Sequence, residues 1–171
     1  MASDGKHTFR HQHACLILQV ATCQCSMCRK WTGSLFSTDL IIKRTQLSPG
    51  LSTFDTFTEY QSSPGTKRGF CSKCGSSLAW FTDEMPEDMV IFVGTIDEEF
   101  LLGKVLEETV KEDEHGKKFE RQGGLARELT DASSAGNLYW QNAVPGVTDH
   151  LAGPKFLQHF VDKAPLPEGT A

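Results

Sequence analysis

The sequence predicts a mainly β fold built as a single domain. Between residues 14 and 102, short apolar runs of strand length alternate with punctuation by Gly, Pro, Ser and Thr. Those runs are rich in β-branched and aromatic side chains, which suit a pleated, half-buried surface. A length of 171 residues at 39% hydrophobic content is enough for one core of ordinary size.

The expected strands follow in chain order. CLILQV (15–20) opens the series, then DLIIK (39–43), STFDTFTEY (52–60), SSLAWF (76–81) and MVIFVGTI (89–96). Pro49-Gly50 and Pro64-Gly65 mark turns between them. Residues 104–136 carry both charge signs and few aromatics, so they read as a surface insertion outside the core, holding one short helix or no fixed structure. Ordered composition returns in NLYWQNAVPGVTDH and PKFLQHFV, where Tyr139, Trp140, Phe156 and Phe160 call for burial. The resulting organisation is a variable leader over 1–13, a domain over 14–162 interrupted by the insertion at 104–136, and a tail over 163–171.

Composition excludes several classes of partner. The formal net charge is −5 and the basic residues are scattered rather than striped, so no footprint for nucleic acid is present. No apolar run approaches the roughly 20 residues that span a bilayer; ACLILQVA (14–21) is far shorter, contains Gln19, and reads as a buried strand rather than a signal-peptide core. Cleavage near Ala21 would leave five of the six cysteines, an odd set for a disulfide framework. A reducing, cytoplasmic compartment is therefore expected, where clustered cysteines more often bind metal than pair.

The cysteines carry the specific signal. CQCSMCRKW (23–31) puts three thiols into six positions, and FCSKCGSSL (70–78) adds two more. Cys25 and Cys28, like Cys71 and Cys74, have the spacing of a metal knuckle, and two knuckles can close one tetrahedral, purely structural zinc site with bonds of about 2.3 Å. That reading leaves Cys23 without a task. In the alternative, Cys23, Cys25 and Cys28 supply three thiolates from one loop, and three protein ligands with an open fourth position are the usual arrangement of catalytic zinc. Such a centre has a formal charge of −1, which disfavours activating water and favours a fourth sulfur held as thiolate. Thiol-transfer chemistry is the expected activity of the open site, and a zinc-stabilised scaffold without turnover that of the closed one.

CQCSMCRKWTGS, followed some forty residues later by SSPGTKRGFCSKCGSSL and then by VGTID at 93–97, closely resembles the glutathione-dependent formaldehyde-activating enzymes and the related centromere protein V domain. The resemblance covers roughly residues 20–103, and NLYWQNAVPGVTD is similar to the family's closing segment. It implies a β-tent, Mss4-like fold with two zinc ions, and carbon–sulfur lyase activity that joins the sulfur of glutathione to formaldehyde. By the same resemblance Cys23, Cys25 and Cys28 are the ligands of the catalytic zinc, and Cys71 and Cys74 are half of a structural site. The family's upstream Cys-x-Cys is missing. GKHTFRHQHACLILQV offers only Cys15 and the pair His11 and His13 in its place, so one zinc is expected and a second is possible.

The remaining candidates have simpler readings. Arg29 and Lys30 follow the metal loop and are candidates to bind a glutathione carboxylate by charge-assisted contacts. Trp31 reads as core before pocket wall. Ser62, Ser63, Ser76 and Ser77 lack a matched His and Asp set, so a serine nucleophile is not expected. Asp97 reads as a turn or strand-end residue, and His115, His150 and His159 as surface. The aldehyde or thiol conjugate is left open by the sequence, as is a role in specialised metabolism.

Overall fold

The computed structural model describes residues 19–130, 135–159 and 164–169. Its centre is one seven-stranded sheet formed by β1 (Gln19–Cys23), β2 (Ser37–Lys43), β3 (Phe57–Ser63), β4 (Thr66–Cys71), β5 (Ser77–Thr82), β6 (Asp88–Phe92) and, from late in the chain, β11 (Gly136–Leu138). The spatial order is β11-β1-β2-β6-β5-β4-β3, with β11 parallel to β1 and all other pairs antiparallel. A mainly β, single-domain architecture is thus what the chain adopts.

Side-chain alternation divides this sheet into two unlike faces. In β2, Leu40 and Ile42 point to one side and Ser37, Asp39 and Ile41 to the other. The first side joins Val20, Ala79, Phe81, Met89 and Ile91 in the main hydrophobic core, closed by Leu47 and Leu51 from the connection between β2 and β3. The second side is different. Its register sets Cys23 opposite Ser37, Asp39 opposite Phe92, Val90 opposite Trp80, Trp80 opposite Arg68, and Arg68 opposite Tyr60. A line of polar and aromatic residues therefore crosses the sheet, and α1 (Ser26–Thr32) lies beside it. Gly69 in β4 makes room for this layering on the core side, since a Cβ there would fall 2.4 Å from the Phe57 ring.

Two expectations about elements are corrected. The run 52–60 is not one strand: Leu51–Thr53 form a 3-10 turn, with Phe54 N–H donating to the Leu51 carbonyl, and pairing begins only at Phe57. Likewise β6 ends at Phe92, and Val93–Thr95 turn away. Of the strand expected over 15–20, only Gln19 and Val20 fall within the described residues.

The charged segment is more ordered than its composition suggested. After α2 (Glu98–Leu101) come the short strands β7 (Lys104–Val105), β8 (Lys111–Asp113), β9 (Gly116–Lys118) and β10 (Arg121–Gln122), then α3 (Ala126–Thr130). β8 and β9 make an exposed hairpin, and β10 pairs back on β7. The expectation that the whole segment lies outside the core fails at α3, where Leu129 is fully buried in the main cluster with Leu125 packed beside it. One apolar side chain per helical turn is enough to dock a five-residue helix, and the surrounding charges hide it from a compositional reading.

Candidate metal and thiol site

The site grows from the point where β1 ends. Cys23 is the last residue of β1, buried and held in register by Ser37 on one side and Leu138 on the other. Cys25 is the N-cap of α1: its backbone is extended, its Sγ accepts from the Cys28 N–H at 3.2 Å, and its carbonyl accepts from Arg29 N–H. Cys28 is one helical turn on and is buried. Strand end, cap and first turn thus bring three Sγ atoms within 4.8 Å of one another, the one such cluster of potential metal ligands among the described residues. α1 stops at Gly33, whose left-handed φ of 66° closes the helix with a bond to the Arg29 carbonyl.

The donor set suits a soft ion. A tetrahedral zinc with bonds of about 2.3 Å spaces its sulfurs by about 3.8 Å, so the triangle closes on an ion with little movement. Hydrogen bonds from Cys23 and then Cys28 pull Cys25 far below the usual thiol range. Cys23 is pushed far up by its bonds to Cys25 and Cys28 and by burial. For Cys28, the pull of Cys23 is outweighed by Cys25 and burial, which raise it to about 11. Three sulfurs that cannot all ionise together are a latent cation site.

Gln24, between the first two cysteines, fixes the loop. It is fully buried; its N–H donates to the Leu138 carbonyl, its side-chain oxygen accepts from Thr148 Oγ1 at 2.6 Å, and its carbonyl accepts from Asn142 Nδ2. The closing segment, NLYWQNAVPGVTD, is therefore the brace of the cysteine loop. Within it Trp140 is buried as expected, and Tyr139 takes a left-handed φ of 55°, a strained choice for a bulky residue. Tyr139 packs against the Cys23 and Cys28 cluster, where burial and then the nearby Cys25 raise its phenol. Phe156 joins the same cluster, and Phe160 lies outside the described residues.

Behind the thiols lies a buried polar group absent from the sequence reading. Arg68, 5% exposed, directs Nη2 at Cys28 Sγ at 3.8 Å and sits over the Trp31 ring. Asp39, 1% exposed, accepts from Trp80 Nε1, and burial lifts its carboxyl to about 6 despite Ser37, Trp80 and Arg68 pulling it down. Arg68 Nε and Nη1, Trp31 Nε1 and Gln24 Nε2 are also buried, without a protein partner. Buried polar atoms left unpaired are costly, and those of Arg68 lie beside Cys28 and Trp31. The available signal was parity: Asp39 interrupts an apolar strand at a position facing away from Leu40.

A cleft of about 810 Å³ opens beside this group. It begins at Lys30 and Trp31, passes Ser37 and the Phe92–Thr95 turn, and ends at Cys74. Trp31 is a half-buried wall of this cleft rather than a core residue, stacked on Tyr60 and edge-on to Phe70. Lys30 is exposed at the rim. Arg29 instead binds the carbonyls of Leu35, through Nε at 2.7 Å, and of Asn142, through Nη2.

The second knuckle stands apart. Cys71 is buried at the end of β4 and Cys74 exposed in the turn to β5, which is closed by Gly75 N–H to the Cys71 carbonyl. Cys74 is held below the usual thiol range by Ser76, whose hydroxyl is 3.1 Å away, with a further contribution from Cys71. Neither joins the cluster of Cys23, Cys25 and Cys28. The four sulfurs of the two knuckles are therefore not gathered into one cluster in this structure. His11, His13 and Cys15 lie outside the described residues. Asp97 precedes α2 as its N-cap, and His115 and His150 are exposed.

The family model of the glutathione-dependent formaldehyde-activating enzyme matches residues 6–115, more than half of the chain. The chain belongs to that family. The match begins upstream of β1 and ends within the β8–β9 hairpin. A search of the curated proteins returns no match. No helix among the described residues is long and apolar enough to cross a membrane.

Proposed function

We propose that this chain is a zinc-dependent carbon–sulfur lyase acting on the glutathione adduct of formaldehyde or of another small aldehyde. The observation that carries the reading is the triangle of Cys23, Cys25 and Cys28 in a family whose model is named for that chemistry. In the forward direction a thiol sulfur forms a bond to the carbonyl carbon, the C=O π pair moves to oxygen, and the thiol proton ends on that oxygen as S-hydroxymethylglutathione; the lyase direction reverses each change. Zinc held by the three cysteines would supply a soft position at which a thiol is stabilised as thiolate. Cys71 and Cys74 offer two further thiols to a second ion, which needs other ligands. Lys30 at the cleft rim suits a glutathione carboxylate, whereas Arg29 is engaged by backbone carbonyls and contributes chiefly by tying α1 to the closing segment. The five cysteines among the described residues are free, which suits a reducing, cytoplasmic setting.

Thermal melts test the thiol step. Glutathione at about 100 times its dissociation constant should stabilise the zinc-loaded protein by roughly 2.7 kcal/mol, and the S-methyl analogue, which cannot ionise, should do far less. Equal shifts, or none at millimolar concentration, overturn sulfur ligation. Adduct formation from glutathione and formaldehyde above the uncatalysed rate then tests turnover; binding without acceleration would move the substrate to another aldehyde or conjugate.

A further inference from the structure

Arg68 is an unusual residue to bury. It lies in the middle of β4, flanked across the strands by Trp80 and Tyr60, with α1 packed above it through Trp31. Its one hydrogen bond within the site runs to a proposed metal ligand, Cys28 Sγ, and its other two nitrogens are buried without partners. An ordinary structural arginine would be spent on a carboxylate fork. Asp39 is close enough to feel its charge, yet makes no ion pair with Arg68 and accepts instead from Trp80. The guanidinium thus has its hydrogen bond on the sulfur side, while its charge also acts on Asp39.

The charge of the site gives that placement a purpose. Three thiolates around a divalent ion carry a formal charge of −1, and a fourth sulfur bound as thiolate raises this to −2 in surroundings that water does not screen. A fixed cation is needed next to the sulfurs, and arginine stays charged under every condition the fold survives.

We propose that Arg68 is the charge-compensating and positioning residue of the thiolate site, holding Cys28 and offsetting the negative charge that metal and thiol binding build up there. Asp39 works against it from the other side, so the two residues should move metal affinity in opposite directions. The inference rests on the proposed function, in that the triad is taken to hold a metal and then a thiol.

Zinc affinity, measured by competition with a chromophoric chelator on the full chain, tests this directly. Arg68→Met should weaken zinc binding by about 10-fold or more, the range seen when partners of metal ligands are removed. Arg68→Lys, which keeps the charge but not the fork, should recover part of the loss, and Asp39→Asn should tighten binding. In each variant the cobalt-loaded protein should still show the thiolate charge-transfer band, so that affinity changes without loss of a ligand. A folded Arg68→Met with zinc affinity within about threefold of the parent (threefold being well under the 10-fold expected) overturns the proposal, as does Asp39→Asn shifting affinity in the same direction as Arg68→Met. If Arg68→Met does not fold, the double variant Arg68→Met with Asp39→Asn removes both buried charges, and the comparison is made between it and Asp39→Asn alone. A parent protein that binds no zinc at the triad would instead overturn the proposed function, which a normal parent with an unresponsive Arg68 would leave standing.

Discussion

Asp39 should impress a particular pH dependence on stability. Its carboxyl is buried on the polar face of β2 and is raised to about 6 from an ordinary 3.8, chiefly by loss of water. Between those two values the folded chain binds more protons than the unfolded chain, so stability falls as pH rises. The contribution is fully present below about pH 4 and is lost as the pH passes through about 6, in line with the two pKa values. A shift of roughly two units at about 1.36 kcal/mol each sets the size at about 3 kcal/mol. Asp39→Asn cannot ionise and lacks this slope. Measured in metal-free, reduced protein, the stability of Asp39→Asn relative to the parent should rise by up to about 3 kcal/mol between pH 4 and 7.5, or roughly 6–12 °C in melting temperature for a chain of this length. The constant offset, which includes the loss of an anion near Arg68, is not the readout; the slope is. A difference between variant and parent that stays flat across this range would show that Arg68, Ser37 and Trp80 hold the carboxylate ionised, and that the burial argument has the wrong winner.

Two further outcomes separate architectures. Leu129→Ala should cost about 2–5 kcal/mol in urea denaturation, because Leu129 is fully buried in the main core; a cost under about 1 kcal/mol, below the range for a buried leucine, would mean that α3 only rests on the surface. Cys23→Ser should sharply lower the zinc content measured by elemental analysis while leaving a cooperative melt, whereas Cys74→Ser should leave metal at the triad; metal lost equally from both would restore a site shared between the knuckles.

The sequence exposed this site unevenly, for physical reasons. The clustering of the three cysteines was legible because three thiols within six positions must lie close in space, and β2, β5 and β6 were legible because their apolar runs coincide with paired segments. Leu129 was not, since it and Leu125 are one helical turn apart in a charged segment, too short a pattern to stand out as a helix face. The run 52–60 misled because its alternation continues into a segment where Leu51–Thr53 turn back on themselves. Arg68 and Gln24 were hidden for another reason: their meaning depends on which face of which strand meets the cysteine loop, and pairing register is not written in local composition.

Register also explains why the triad should persist when metal is absent. Cys23 is both a paired residue of β1 and a proposed ligand, so slipping β1 by one residue would turn it to the opposite face and take Val20 out of the core. Cys28 is fixed by α1, which is capped by Cys25 at one end and Gly33 at the other, and Arg29 and Gln24 tie that helix and loop to the closing segment. Each ligand is therefore held by bonds that do not involve an ion. In small domains whose folding depends on zinc, metal binding and folding are one event; here the main core lies on the opposite face of the sheet from Cys23. If the triad holds a metal as proposed, loss of that metal should accordingly cost the site its affinity for thiol before it costs the domain its fold, and a melt that loses cooperativity on chelation would refute this.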